Sequence, residues 1–293
     1  MFATGAVRFE HSIWISCIAS VTILGYNEHM EVQTSAQQPS TTPQQEPERR
    51  GINWGFQLQQ YGAAVMVAAL PFVALSVYLF FRRGYYDLYI INKLFAGVGA
   101  ILLGLVLLLG PLSRFFDRFD RYAQYRKELG IVAFFLIIAH AVSSYYFLPT
   151  HFARERFYTT GFFPFIYGLA ATVLLVLLFA ISNQIAMKAL GARRWWLMQS
   201  WSVRIIFVLV ALHVGVMKMQ GWASWYQKGG GPELVHPEWP GAGLLVGWFV
   251  AFVILIRLAE VAGQKFGKLV WYCGVVALLA IYIFTFWWGQ RFI

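Results

Sequence analysis

Long apolar runs separated by short polar segments dominate the chain from about residue 59 onward. Each run is close to the roughly 20 residues that a helix needs to cross a bilayer. The connections between runs are mostly short, which is typical of antiparallel neighbours in a compact bundle. The pattern predicts an all-α integral membrane protein, a bundle of about seven transmembrane helices. The predicted spans are about 59–81, 94–113, 129–148, 161–182, 201–219, 241–258 and 269–288.

The first 52 residues do not follow this pattern. Their one apolar stretch, 13–25, is short for a membrane span, and residues 31–51 are polar and rich in Gln, Pro and Thr. Such a composition cannot bury a hydrophobic core. We therefore predict that residues 1–52 are a disordered extension or precede the true start of the protein, for which Met30 is an alternative. Residues 53–293 are predicted to form the transmembrane domain.

Composition narrows the class of protein further. Of 293 residues, 59% are hydrophobic and 12% are charged, whereas soluble domains average about 25% charged residues. The two cysteines form no Cys/His cluster, so zinc and iron–sulfur sites lack ligands. A net charge of +10 would indicate nucleic acid in a soluble protein. Here the basic residues flank the spans, so we interpret them as anchors in a lipid bilayer and expect no nucleic-acid partner.

The distribution of Lys and Arg predicts an orientation. The N-terminal flank and the second, fourth and sixth loops hold 14 of these residues, and the opposite side holds 8. Cytoplasmic loops carry the excess of positive charge. The N-terminus is therefore predicted to be cytoplasmic and the C-terminus to lie outside. Segment 220–240, on the outer side, is rich in Gly, Pro and Trp and is predicted to be an irregular interfacial loop.

Two histidines lie deep in apolar runs, where ionisable side chains are rare unless they have a function. His140 and His213 follow the starts of spans three and five by 11 and 12 residues, which is roughly 17 Å along a helix. Both are thus predicted at one depth, beyond the middle of the bilayer. Two imidazoles can hold one haem iron as a low-spin electron-transfer centre; an interhelical hydrogen bond for each histidine is the alternative. The remaining histidines are expected at the surface: His11, His29, His151 and His236.

The residues around His140 carry a family resemblance. A Gly-Pro-Leu helix end and an arginine-rich turn lead into a run formed by Arg126, Leu129, Gly130, Phe134 and His140. Together with the stretch GARRWWLMQSWSVRIIFVLVALH that ends at His213, this run resembles the ferric reductase-like transmembrane domain family over about residues 95–220. That family includes the membrane parts of ferric reductases and NADPH oxidases, and haem-binding subunits of periplasmic methionine sulfoxide reductases. The resemblance implies a six-helix core plus one span, with haem b bound by His140 and His213.

The chain departs from the family at the inner end of the same two helices. Members with two haems carry a second histidine 13–14 residues before each of these ligands. Those positions hold Arg126 and Lys127 on one helix, and Gln199 and Ser200 on the other. The resemblance therefore implies one bis-histidine haem b. Gln199 and Arg126 could instead contact a quinone head group or face lipid phosphates, and the second interpretation is favoured.

The resemblance and the remaining patterns predict a function. No GxGxxG motif follows a strand and no sizeable soluble domain is evident, so we expect no flavin or NAD site in this chain. We predict an oxidoreductase subunit of the bacterial inner membrane that carries electrons within or across the bilayer, to or from a separate redox partner or a quinone. Whether enzyme activity lies in this chain stays open. Arg154 and Arg156 are candidates to bind the haem propionates, with interfacial anchoring as the alternative.

A second class of function also stays open. A membrane transporter or a scaffold subunit would need no cofactor. Transporters commonly show inverted repeats or broken helices that carry acidic residues. The spans lack Asp and Glu near their middles, which disfavours proton-coupled transport.

Overall fold

Residues 54–293 are described by a computed structural model, and all regular structure in this range is helical. Seven helices are long and apolar enough to cross a membrane, which confirms the predicted all-α membrane bundle. The predictions for residues 1–52 lie outside the described range. The seven helices are α1 (Trp54–Arg83), α2 (Leu88–Phe115), α3 (Arg126–Val142), α4 (Phe162–Ile181), α5 (Ala192–Lys228), α6 (Ala242–Val261) and α7 (Gln264–Gly289).

The longest helix corrects one sequence-based expectation. The segment from residue 220 was predicted to be irregular, but α5 continues to Lys228. Its added residues contain no proline and only one glycine, so nothing forces the helix to end earlier. Gly229, with φ of +73°, then ends the helix by donating its backbone N–H to the Trp225 carbonyl. With 37 residues, α5 is about 55 Å long and outreaches a hydrocarbon core about 30 Å thick.

The rest of that connection is irregular, as predicted, and is attached to the end of α1. Arg82 Nε donates to the Trp239 carbonyl at 3.0 Å, and the Arg82 carbonyl accepts hydrogen bonds from the backbone N–H groups of Val235 and His236. Tyr78 also donates its hydroxyl to the Pro240 carbonyl. These bonds fix the loop over one end of the bundle.

Helix α2 forms the centre of the bundle. Its residues Val98, Leu102 and Leu103 are almost completely buried, and it packs against α1, α3, α5, α6 and α7. Asp87 begins the helix by accepting a hydrogen bond from the Ile90 N–H at 2.8 Å. Close packing requires a glycine at position 104, because a Cβ there would lie 2.6 Å from the ring of Phe249.

The two helices that carry His140 and His213 are held apart. Helix α3 packs mainly on α2, helix α5 packs mainly on α4, and α3 and α5 make few contacts with each other. A π-helical turn, Ser143–Phe147, continues α3 beyond Val142. The two histidines therefore stand on separate helices, with α2 and α4 as their immediate neighbours.

Candidate functional site

His140 is bonded to the neighbouring helix α2 through one ring nitrogen. Its Nδ1 lies 2.9 Å from Asn92 Oδ1 and 3.2 Å from the Asn92 backbone oxygen. Asn92 is 1% exposed, and its Nδ2 donates to Ser144 Oγ at 2.9 Å, which sets the orientation of the amide. Both oxygens that face Nδ1 are acceptors, so Nδ1 carries the proton and donates it.

His213 has an equivalent bond to helix α4. Its Nδ1 donates to the Pro164 carbonyl over 2.6 Å. One helical turn later stands Gly168, where a Cβ would lie 2.8 Å from the same Nδ1. A glycine is therefore required for the imidazole to rest directly on the backbone of α4.

The two hydrogen bonds at Nδ1 leave Nε2 of each imidazole as the nitrogen that could bind a metal. In a neutral imidazole with its proton on Nδ1, Nε2 keeps a free lone pair. Hydrogen bonds from the remote nitrogen to a carbonyl are typical of histidines that ligate metals, because they fix the tautomer and raise ligand basicity. Both imidazoles lie within the bundle, keep partly exposed surface, and are close enough to interact electrostatically. The expected interhelical hydrogen bonds are thus present, but they use only one nitrogen of each ring.

This donor set fits only some kinds of metal centre. Within residues 54–293, no group of three or more His, Cys, Asp or Glu residues could hold a bare metal ion. Two imidazole nitrogens are the complete protein ligand set for an iron whose other four ligands come from a porphyrin. His140 and His213 therefore fit haem better than an isolated cation.

The predicted propionate partners lie at the surface. Arg154 and Arg156 are exposed in the short helix Arg154–Phe157. The guanidinium of Arg154 lies over the Tyr145 ring, 5.2 Å from its centroid. Both residues are on the same side of the bundle as the histidines.

Two lysines that the sequence identified only as anchors lie in the region of the histidines or of their bond partners. Lys218 follows His213 on α5, is half-buried, and interacts electrostatically with both histidines. Lys93 is adjacent to Asn92, interacts with Lys218, and places its Nζ 3.8 Å from the centroid of the Tyr89 ring. Lysines near span ends are commonly interfacial anchors. The sequence signal that could have identified these two as functional is their position near Asn92 and His213.

Gln199 and Arg126, which were considered for quinone or lipid contacts, both have protein neighbours in the structure. Gln199 donates from Nε2 to Ser182 Oγ at 2.9 Å, which links α5 to the end of α4. Arg126 lies at the first turn of α3 beside other arginines. The structure thus gives Gln199 an interhelical bond and places Arg126 in a basic environment.

Comparison with known proteins supplies independent findings. Residues 95–210 match the family described as ferric reductase like transmembrane component, a range that contains His140 and ends just before His213. The chain is also similar to two proteins named protein-methionine-sulfoxide reductase heme-binding subunit MsrQ. The one from Herminiimonas arsenicoxydans is 28% identical over 53% of this chain and 63% of the relative. The one from Polaromonas naphthalenivorans (strain CJ2) is 32% identical over 37% of this chain and 48% of the relative. The chain thus covers less than two thirds of the length of either relative.

Proposed function

From the match of residues 95–210 to the ferric reductase-like transmembrane family, we propose that this integral membrane protein binds one haem b and transfers electrons. The observation that carries the proposal is the shared state of His140 and His213. Each donates its Nδ1 proton to a carbonyl oxygen of a neighbouring helix, and each therefore retains an Nε2 lone pair inside the bundle.

The residues of this chain would each have a defined task. His140 and His213 hold the iron through Nε2, while Asn92 and Pro164 keep the imidazoles in the required tautomer and orientation. The haem supplies one-electron redox chemistry when it is bound. With His140 and His213 as its protein ligands, the haem would be a low-spin electron-transfer centre, and the protein would conduct electrons.

The donor and acceptor of electrons follow as part of the same proposal. A separate redox protein or a quinol supplies the electrons, because we assign no flavin or NAD site to this chain. The relatives are named as haem-binding subunits of a methionine sulfoxide reductase, which supports a role as one subunit of a larger oxidoreductase. We place the protein in a bacterial inner membrane with a cytoplasmic N-terminus.

Absorption spectroscopy of the purified full-length protein tests the haem assignment. The reduced protein should show low-spin haem b bands, and His140→Ala and His213→Ala should each abolish them. His151→Ala is the matched control, because His151 is exposed and stacks on Tyr89 with ring centroids 4.2 Å apart. A normal low-spin spectrum in either ligand variant would refute the assignment. A colourless wild-type protein would favour a cofactor-free transporter or scaffold.

The propionate contacts can be assigned by comparing two pairs of basic residues. We propose Lys93 and Lys218 as the nearer contacts and retain Arg154 and Arg156 as outer candidates. Replacing a residue that pairs with a propionate by Gln should lower haem retention during purification, because a charge-assisted hydrogen bond is lost. The haem-to-protein ratio of the Lys93→Gln/Lys218→Gln variant, compared with that of Arg154→Gln/Arg156→Gln, identifies the pair that holds the propionates.

A further inference from the structure

At the end of the bundle opposite the histidine pair, arginines from four helices surround one carboxylate. Glu260 on α6 accepts a hydrogen bond from Arg114 of α2 at 2.7 Å and forms an ion pair with Arg257 of its own helix at 2.6 Å. Arg126 of α3 and Arg204 of α5 are near enough to interact electrostatically with the same carboxylate. We call these four residues, Arg114, Arg126, Arg204 and Arg257, the arginine cluster.

The guanidinium groups converge over a glycine. The Nη1 atoms of Arg257 and Arg126 lie 3.4 and 4.0 Å from the position that a Cβ of Gly110 would occupy. The guanidinium of Arg204 lies 5.3 Å from the centroid of the Trp201 ring and interacts with both Arg126 and Arg257. Like charges from separate helices are thus brought together rather than dispersed around the bundle.

The charges of the cluster do not balance. Arginine stays protonated in proteins, and among residues 54–293 Glu260 is the acidic group that acts on all four guanidinium groups. The cluster itself therefore holds four positive charges against the one negative charge of Glu260. The side chains of Arg257 and Glu260 are only 18% and 7% exposed, so water and salt screen this repulsion poorly. A bound anion would relieve it.

We infer that the arginine cluster binds the phosphate of an anionic phospholipid headgroup. Its residues lie near the ends of the candidate membrane spans, where lipid headgroups are expected, and Arg114 and Arg126 are exposed. Guanidinium groups form paired hydrogen bonds with phosphate oxygens. Basic pockets between transmembrane helices on the cytoplasmic side are known to bind lipid phosphates, and the Lys/Arg count predicts that this end is cytoplasmic. The inference does not depend on haem binding.

Native mass spectrometry of the purified wild-type protein provides the first test. The protein is incubated with equal amounts of phosphatidylglycerol and phosphatidylcholine that carry the same acyl chains. Both lipids have a phosphate, but only phosphatidylglycerol has a net negative charge. We expect the adduct with phosphatidylglycerol to predominate. Equal binding of the two lipids to the wild-type protein would overturn the inference without any need for variants.

A pair of double variants locates the site. Arg126→Gln/Arg204→Gln should reduce the phosphatidylglycerol adduct by roughly tenfold or more, because two charge-assisted contacts are removed. The control is Lys127→Gln/Lys188→Gln, which removes two exposed charges on the same side but outside the cluster. It should bind like the wild type. An equal loss in both variants would show that general surface charge attracts the lipid, and a loss in neither would show that the cluster does not bind it. Either result would overturn the assignment.

A soluble ligand distinguishes a lipid from a free phosphate ester. Glycerol 3-phosphate has the phosphate and glycerol of the headgroup but no acyl chains. We expect it to leave the phosphatidylglycerol adduct unchanged at equal concentration. If it displaced the lipid from the wild type but had no effect in Arg126→Gln/Arg204→Gln, the cluster would be a site for soluble phosphate compounds, and the lipid assignment would be wrong.

Discussion

Helices α3 and α5 each carry a histidine toward one membrane face and an arginine toward the other. At the end predicted to be outer, the imidazoles of His140 and His213 donate to oxygens of Asn92 and Pro164. At the end predicted to be inner, Arg126 and Arg204 stand near Glu260, one carboxylate among the four guanidinium groups of the cluster. The comparison teaches that hydrogen-bond acceptors on neighbouring helices fix the tautomer and orientation of the imidazoles at one end, which suits them to bind a metal. Excess guanidinium groups make the other end suited to an anion.

Which end is inner and which is outer depends on the orientation of the protein in the membrane. A reversed orientation would change the comparison more than any other result. We expect a periplasmic phosphatase fused after Ile293 to be active and one fused near Arg193 to be inactive. The reason is the excess of Lys and Arg on the side of the second, fourth and sixth loops. Activity is scored in whole cells, with a cytoplasm-active reporter at the same two points as the control. The opposite pattern would place the histidine pair near the cytoplasm.

A haem count tests whether only one end binds haem. We expect about one haem per chain, since Arg126, Lys127, Gln199 and Ser200 occupy the positions of a second ligand pair. A pyridine haemochrome assay combined with amino-acid analysis measures the ratio. About two haems per chain would show that other residues bind a second one and that the two ends are chemically alike.

The glycine beneath His213 offers a sharper test of the outer end. Gly168→Ala should weaken haem retention and lower thermal stability, because the new methyl group would lie 2.8 Å from His213 Nδ1. Such overpacking costs about 1–3 kcal/mol. Gly215→Ala is the control on the same helix as His213, because no atom lies within 4 Å of its added Cβ. Loss of the haem Soret band on heating reports both effects, and equal melting of the two variants would contradict the proposed contact.

The smallest expected effect concerns the acceptor of His140. Asn92→Leu removes the amide oxygen but keeps the backbone oxygen as an acceptor, so haem should remain bound. The imidazole would donate less electron density to the iron. The reduction potential of the haem should therefore rise by tens of mV. A shift of about 59 mV corresponds to a tenfold change in the equilibrium constant of a one-electron reduction. Asn92→Asp should lower the potential instead. Redox titration measures both, and shifts in the same direction would exclude this role for Asn92.

The sequence predicted some features well because they depend on local pattern. Seven spans followed from the length of the apolar runs, and the structure confirmed them. His140 and His213 stood out because each is an ionisable residue inside such a run. The bond partners Asn92 and Pro164 could not be predicted, since they lie 48 and 49 residues from the histidines they bind. Such partners are set by which helices pack together.

The same reason explains what sequence reasoning missed at the inner end. Arg204 was counted as an anchor and Arg126 was expected to face lipid phosphates, because a positive charge near a span end usually faces lipid and water. Their approach to Glu260 requires the arginine side chains of α3 and α5 to extend toward the same carboxylate on α6, which no run of residues reveals. The end of α5 was placed too early for a different reason: tryptophans and a glycine indicated a loop, whereas helical hydrogen bonding continued to Lys228.

The hydrogen bonds of the two imidazoles have a consequence for membrane energetics. A carbonyl oxygen holds each Nδ1 proton and takes up no proton itself, and in the proposed function each Nε2 is bound to iron. Neither ligand then has a position at which to gain or lose a proton when the iron changes charge. Electron movement through such a centre is electrogenic, and its rate and direction should respond to voltage, at about 2.3 kcal/mol per 100 mV for a full crossing.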